Sequence, residues 1–161
     1  MSETVVRKDL EQKQITFERV FNAPREKVFK AFTDPEIIAQ WWGPRGWTTT
    51  VKTMEVKPGG VWHYGMRDTQ GQEAWGKSVY KEIVKPERIV YIDTFTDEAG
   101  THNPNMPELH VELEFIDEDG KTKVVSRTTF ATAEQLQQVV DMGMEQGFKE
   151  TWDRLAEYLA R

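Results

Sequence analysis

Residues 14–22 alternate, with Ile15, Phe17 and Phe21 on one side and Thr16, Glu18 and Asn22 on the other, the period-two pattern of a half-buried strand. Arg19 places a charge on the apolar side. Ala23-Pro24 ends this strand, because proline fixes φ and donates no hydrogen bond, and Pro24 is well placed to open a helix. Residues 25–32 carry Val28, Ala31 and Phe32 at helical spacing. Asp34-Pro35 starts a second short helix with Ile37, Ile38, Trp41 and Trp42, which Gly43-Pro44 stops.

The strand pattern then returns over residues 48–57, 60–67, 74–84, 88–96, 108–117 and 121–131. Turn chemistry separates the strands: Pro58-Gly59-Gly60, residues 68–71, Lys85-Pro86, Gly100 with Asn103-Pro104, and Asp119-Gly120. Short turns between successive strands predict an antiparallel meander. Leu109, Val111, Leu113 and Phe115 alternate with His110, Glu112 and Glu114, so one face is wet and the other covered. From the cap Thr132 to about residue 160, Leu136, Val139, Val140, Gly143, Gly147, Thr151, Leu155 and Tyr158 form one helical stripe. Gly143 and Gly147 each cost about 1 kcal/mol of helix propensity, so they either permit close backbone approach or leave open space.

These elements predict an α+β, helix-grip domain: a curved antiparallel sheet of about seven strands, two short helices after the first strand, and a long C-terminal helix packed on the sheet. Residues 1–13 are expected as a flexible polar tail before a single domain over 14–161. A chain of 161 residues buries roughly two-thirds of its unfolded surface, enough for one core.

The words along the chain resemble a known family. The segment ITFERVFNAPREKVFKAFTDPEIIAQWWGP, then VKPGGVWHYGMRD, PERIVY and GFKETWDRLAEYL are similar to the activator-of-heat-shock-protein-90-ATPase homologue-like family, within the START and Bet v 1-like (SRPBCC) superfamily. The resemblance runs over residues 14–159 and implies a cavity between the concave sheet and the C-terminal helix. Two departures stand out: Gly147-Phe148 replaces the usual Gly-Trp, and the loop over residues 96–107 is long.

Charge and composition narrow the function. Lys plus Arg number 21 against 27 Asp plus Glu, a formal charge of −6, which argues against nucleic acid as a partner. Without cysteine there is no disulfide, thiol nucleophile or thiolate metal site. The polar N-terminus lacks a secretory h-region and no apolar run reaches membrane-span length, so a cytoplasmic location is expected. His63, His102 and His110 have no metal-ligand spacing, and His63 and His110 fall on the wet faces of their strands. No metal, no cofactor and no catalytic residue is assigned.

Six tryptophans supply large amphipathic surfaces. Trp41, Trp42 and Trp47 flank a glycine-proline turn, where one staples helix to sheet and another faces a ligand. Trp62, Tyr64 and Met66 share a strand face that Met54 joins, as cavity lining or as core. Tyr80, Phe95, Leu113, Val140, Met144 and Phe148 complete the expected cavity or rim. The facing of Trp75, Tyr80 and Tyr91 turns on whether a bulge interrupts their strands. Arg19, Glu55 and Asp93 are ionisable residues in apolar text, so Arg19 is expected to pair with Glu55 or Asp93, lie on an exposed edge, or meet a ligand anion. The expected function is binding of a lipid-like, aromatic or polyketide-like hydrophobic molecule, with a link to stress tolerance. A cyclase or aromatase using Tyr64, Tyr80, Asp93 or Arg19, and a co-chaperone-like protein-binding module, are the alternatives.

Overall fold

A computed structural model describes residues 3–161; Met1 and Ser2, the start of the expected tail, lie outside the described residues. The strands are β1 (Val5–Asp9), β2 (Gln14–Phe21), β3 (Thr48–Met54), β4 (Val61–Arg67), β5 (Glu73–Val84), β6 (Arg88–Thr96), β7 (Leu109–Glu118) and β8 (Lys121–Thr129). All pair antiparallel in one sheet of order β1-β2-β8-β7-β6-β5-β4-β3. The helices are α1 (Arg25–Thr33), α2 (Pro35–Trp41), α3 (Ala133–Asp141) and α4 (Met144–Leu159).

Two expectations need correcting. The sheet has eight strands instead of about seven, because residues 5–9 of the supposed tail pair with β2. Val5 is half exposed while Val6 packs against the core, so backbone pairing and one apolar contact hold this strand. The C-terminal helix is two helices: Gly143 takes φ +94°, a left-handed conformation that ends α3 and precedes α4.

Helices α1 and α2 carry the chain from β2 to β3 at the opposite sheet edge, which is why β2 pairs with β8 and not with β3. Asp34 caps α2, its Oδ1 accepting from the backbone N–H groups of Glu36 and Ile37 at 2.9 and 3.3 Å. Phe29 and Phe32 of α1 meet the Phe115 ring edge-on. On β2, Phe17 lies opposite the small Ser126 of β8, which leaves room for α4 to approach. Phe148 of α4 stacks on Phe17 at 3.7 Å, and Trp152 meets Phe21 edge-on at 5.5 Å. The concave face therefore buries the core, and each large side chain sealed there contributes about 1.5–3 kcal/mol.

Arg19 is also on this face, and its partner differs from the expected Glu55 or Asp93. Its Nη1 meets Asp153 Oδ1 on α4 at 2.5 Å, so the charge ties β2 to the last helix.

Candidate functional site

The inner faces of β4, β5 and β6 set out the site. Period-two geometry points Trp62, Tyr64 and Met66 of β4 toward α4, with Ser78 and Tyr80 of β5 and Tyr91, Asp93 and Phe95 of β6 in register beside them. A bulge after Tyr80 lets β5 keep Tyr80 inward while it turns. Tyr80 and Tyr91 are thereby buried, whereas Trp75 lies on the opposite, convex face. There Trp75 covers Gly65 and packs beside His63, which is buried and not on a wet face as expected. Gly100 of the β6–β7 loop adds cover over the His63 ring.

Deep inside, the space is filled. Phe32, Ile38, Trp42, Trp62, Tyr80, Ile89, Tyr91 and Leu113 enclose only about 10 Å³. Trp62 stacks on Tyr64 with ring centres 4.3 Å apart, and Trp42 sets its edge against both.

Open space lies beside the α3–α4 break. A groove of about 320 Å³ runs there between Trp42, Gly43 and Pro44, the β4 and β6 side chains Tyr64, Met66 and Phe95, Leu109 of β7, and Val139, Met142, Met144, Phe148 and Trp152 from the two helices. Gly143, Gly147 and Thr151 complete its wall. A Cβ on Gly143 would meet nothing within 4 Å, and one on Gly147 only Pro44 Cγ at 3.7 Å. These glycines leave open space rather than permit a close backbone contact.

The rim is fixed by one guanidinium. Arg154 Nη1 donates toward the carbonyls of Trp42, Gly43, Pro44 and Trp47 at 3.1, 2.8, 3.4 and 3.3 Å, and Nη2 toward Gln40 at 3.2 Å. Burial lowers its pKa from the usual arginine value. Thr49 Oγ1 donates to the Trp42 carbonyl at 2.7 Å from the other side, so Trp42 is held between β3 and α4.

Asp93 is the ionisable group bordering the groove, paired in register with the lining residue Leu109. Ser78 Oγ donates to its Oδ1 at 3.1 Å, and the Tyr64 hydroxyl stands 3.4 Å from both carboxylate oxygens. The residue keeps part of its surface open, yet its carboxyl is enclosed closely enough that desolvation pushes its pKa up to about 7, against the lowering pull of Ser78 and Tyr64. Burial also raises the Tyr64 and Tyr91 hydroxyls, which stay neutral.

Of the residues singled out in the sequence, the groove brings together Trp42, Tyr64, Met66, Phe95, Met144 and Phe148. Trp41 is fully buried, its indole N–H donating to the Ala31 carbonyl at 3.0 Å, so it staples α2 to α1. Trp62, Tyr80 and Leu113 line the small inner void, and Trp47, Met54 and Val140 stand outside the groove wall. Sequence reasoning missed Leu109, Val139, Met142 and Trp152 as lining. Trp152 follows Phe148 by four residues, the spacing of one helical face, and that signal could have found it.

A second depression, of about 380 Å³, lies at the other end of α4 among Arg19, Val20, Phe21, Asn22, Lys121 and Leu159. Ala156 and Ala160 also line it, but Phe21 is its one aromatic wall and Arg19 and Lys121 bring charge to it, unlike the aromatic, uncharged groove. Among the described residues no helix is long and apolar enough to cross a membrane.

A curved antiparallel sheet gripping a C-terminal helix, with open space between them, places the chain in the helix-grip class. The family model described as Activator of Hsp90 ATPase homolog 1-like protein matches residues 22–160, and the chain belongs to that family. Protein Ms6760 from Mycobacterium smegmatis is 29% identical with a TM-score of 0.90, covering 97% of this chain and 96% of that one. A protein from Arthrobacter aurescens is 29% identical with a TM-score of 0.92, over 97% and 91% of the two chains. One from Staphylococcus epidermidis is 33% identical with a TM-score of 0.84, over 97% and 93%. The search of curated proteins found no match.

Proposed function

We propose that the chain binds a hydrophobic small molecule in the groove between the inner face of β4–β7 and the α3–α4 break. One observation carries this reading: the deep interior is closed by aromatic rings, while an apolar groove of about 320 Å³ stays open beside it. A groove of this size falls within the range of small-molecule sites, and burial of apolar surface there stabilises a complex by about 25 cal/mol per Å². Trp42 and Phe148 offer flat walls, and Met66, Met142 and Met144 are unbranched side chains that adjust to the shape of a guest. Membership of the family supports ligand binding in general terms and leaves the chemistry of the ligand to the groove itself.

The test is a fluorescence titration with prodan, a neutral polarity-sensitive probe. Binding should be saturable, with one probe per chain, a blue shift of its emission, and quenching of protein tryptophan. A linear, non-saturating response would rule the reading out.

A further inference from the structure

We infer that the groove selects an apolar molecule bearing a protonated amine, seated against the Asp93 carboxylate, and rejects molecules bearing a carboxylate. The inference rests on the groove being the binding site, and it adds the polar end of the ligand.

Asp93 borders the groove wall, next to three of its lining residues. It pairs in register with Leu109 of β7, precedes Phe95 by two residues on the same face, and lies within 3.4 Å of the Tyr64 hydroxyl. Leu109, Phe95 and Tyr64 all line the groove. A carboxylate offers about four acceptor positions, and here Ser78 Oγ and the Thr94 backbone N–H donate to it while the Tyr64 hydroxyl makes only a long contact of 3.4 Å. Capacity for a further donor remains.

The surroundings favour a cation as that donor. No lining residue carries a charge, and Arg154, the nearby guanidinium, is turned onto backbone carbonyls. Trp42, Tyr64, Phe95, Phe148 and Trp152 present π surfaces, which attract an ammonium group at close range. A ligand carboxylate would meet Asp93 with no cation to offset the repulsion. The net charge of −6 also draws cations toward the protein.

The same geometry sets a pH dependence. Burial holds the Asp93 pKa up to about 7 in the free protein, so a bound ammonium must displace its proton at lower pH. Affinity for an amine therefore rises as pH climbs through about 7 and levels above it. The other titratable groups facing Asp93 are Tyr64 from β4 and Tyr91 on its own strand, both kept neutral by burial. β5 contributes Ser78 and β7 Leu109, while α3 and α4 bring Val139 and Phe148 across the groove, and none of these titrates in this range.

Isothermal titration of the full chain with phenylbutylamine, phenylbutanol and phenylbutyrate compares three polar ends on one apolar body. At about pH 8 the amine should bind at least about tenfold more tightly than the alcohol, with the carboxylate weakest, and the advantage should shrink toward about pH 5. Asp93→Asn should abolish the amine advantage while alcohol binding persists. If that variant fails to fold, the pH series on the unaltered chain decides the matter. Carboxylate binding equal to amine binding, or an amine advantage independent of pH, overturns the inference. Prodan binding without amine preference overturns only this selectivity, whereas failure of prodan and all three compounds overturns the site itself.

Discussion

Arg154 Nη1 lies 2.8 Å from the carbonyl oxygen of Gly43, and through that contact α4 holds the turn that forms one wall of the groove. Removing the guanidinium leaves several partly buried carbonyls without a donor, at a cost of about 1–3 kcal/mol. Arg154→Met is expected to lower stability by that amount in urea denaturation and to weaken prodan binding by loosening Trp42. Arg154→Lys should restore only part of it, because a single ammonium cannot span the spread of acceptors. Unchanged stability in the methionine variant would show that the clamp is not needed.

Asp93 makes stability depend on pH in a defined direction. Its folded pKa of about 7 lies above the ordinary carboxyl value of 3.8, so the native state holds the proton more tightly than the unfolded chain. The resulting stabilisation is full below about pH 4 and is lost as pH rises through about 7. Asp93→Asn stays neutral throughout, so its stability relative to the unaltered protein should improve by roughly 2–4 kcal/mol from about pH 4 to pH 8. Denaturation curves that stay parallel across this range would remove Asp93 as the cause.

Gly147 separates helix stability from groove space. An added Cβ meets only Pro44 Cγ at 3.7 Å, so Gly147→Ala should stabilise α4 by about 0.5–1 kcal/mol. Gly147→Leu should keep the fold and reduce prodan affinity, because its side chain occupies the groove. Undiminished affinity in the leucine variant would place the probe elsewhere.

Two glycines of neighbouring strands make a matched pair. A Cβ on Gly76 would stand 2.6 Å from the Tyr64 hydroxyl oxygen, and one on Gly65 2.7 Å from the Trp75 ring on the convex face. Each alanine variant should lose about 1–3 kcal/mol through overpacking. Gly76→Ala alone should also alter ligand binding, since it displaces Tyr64 from Asp93. Thermal melts and prodan titrations of both variants check this, and equal effects on binding would contradict the placement of the site.

Local chemistry made much of the fold legible. Leu109 to Phe115 declared the covered face of β7 by alternation, and Asp34-Pro35 declared a helix start that Asp34 does cap. Strand β1 gave little signal, since Val6 alone of its residues packs against the core and the strand is otherwise held by pairing with β2. Gly143 read as a small residue on a continuous stripe, but a positive φ at one residue breaks a helix without disturbing hydrophobic spacing. The partner of Arg19 is Asp153, 134 residues away, and the cover over His63 comes from Trp75 and Gly100, long-range contacts that periodicity does not encode. The groove was half legible for the same reason. Bulky strand residues announced an apolar face, but only the packing of Trp62, Tyr80 and Tyr91 decides which part of it is filled.

The methionines offer the most direct measurement of where a ligand sits. With methyl-labelled methionine, a two-dimensional NMR titration with prodan should shift Met66, Met142 and Met144, which line the groove, along a saturable curve. Met54, which packs against the core outside the groove wall, should stay in place. Shifts confined to Met54 or Met106, or no saturable shift at any methyl, would contradict ligand binding in this groove.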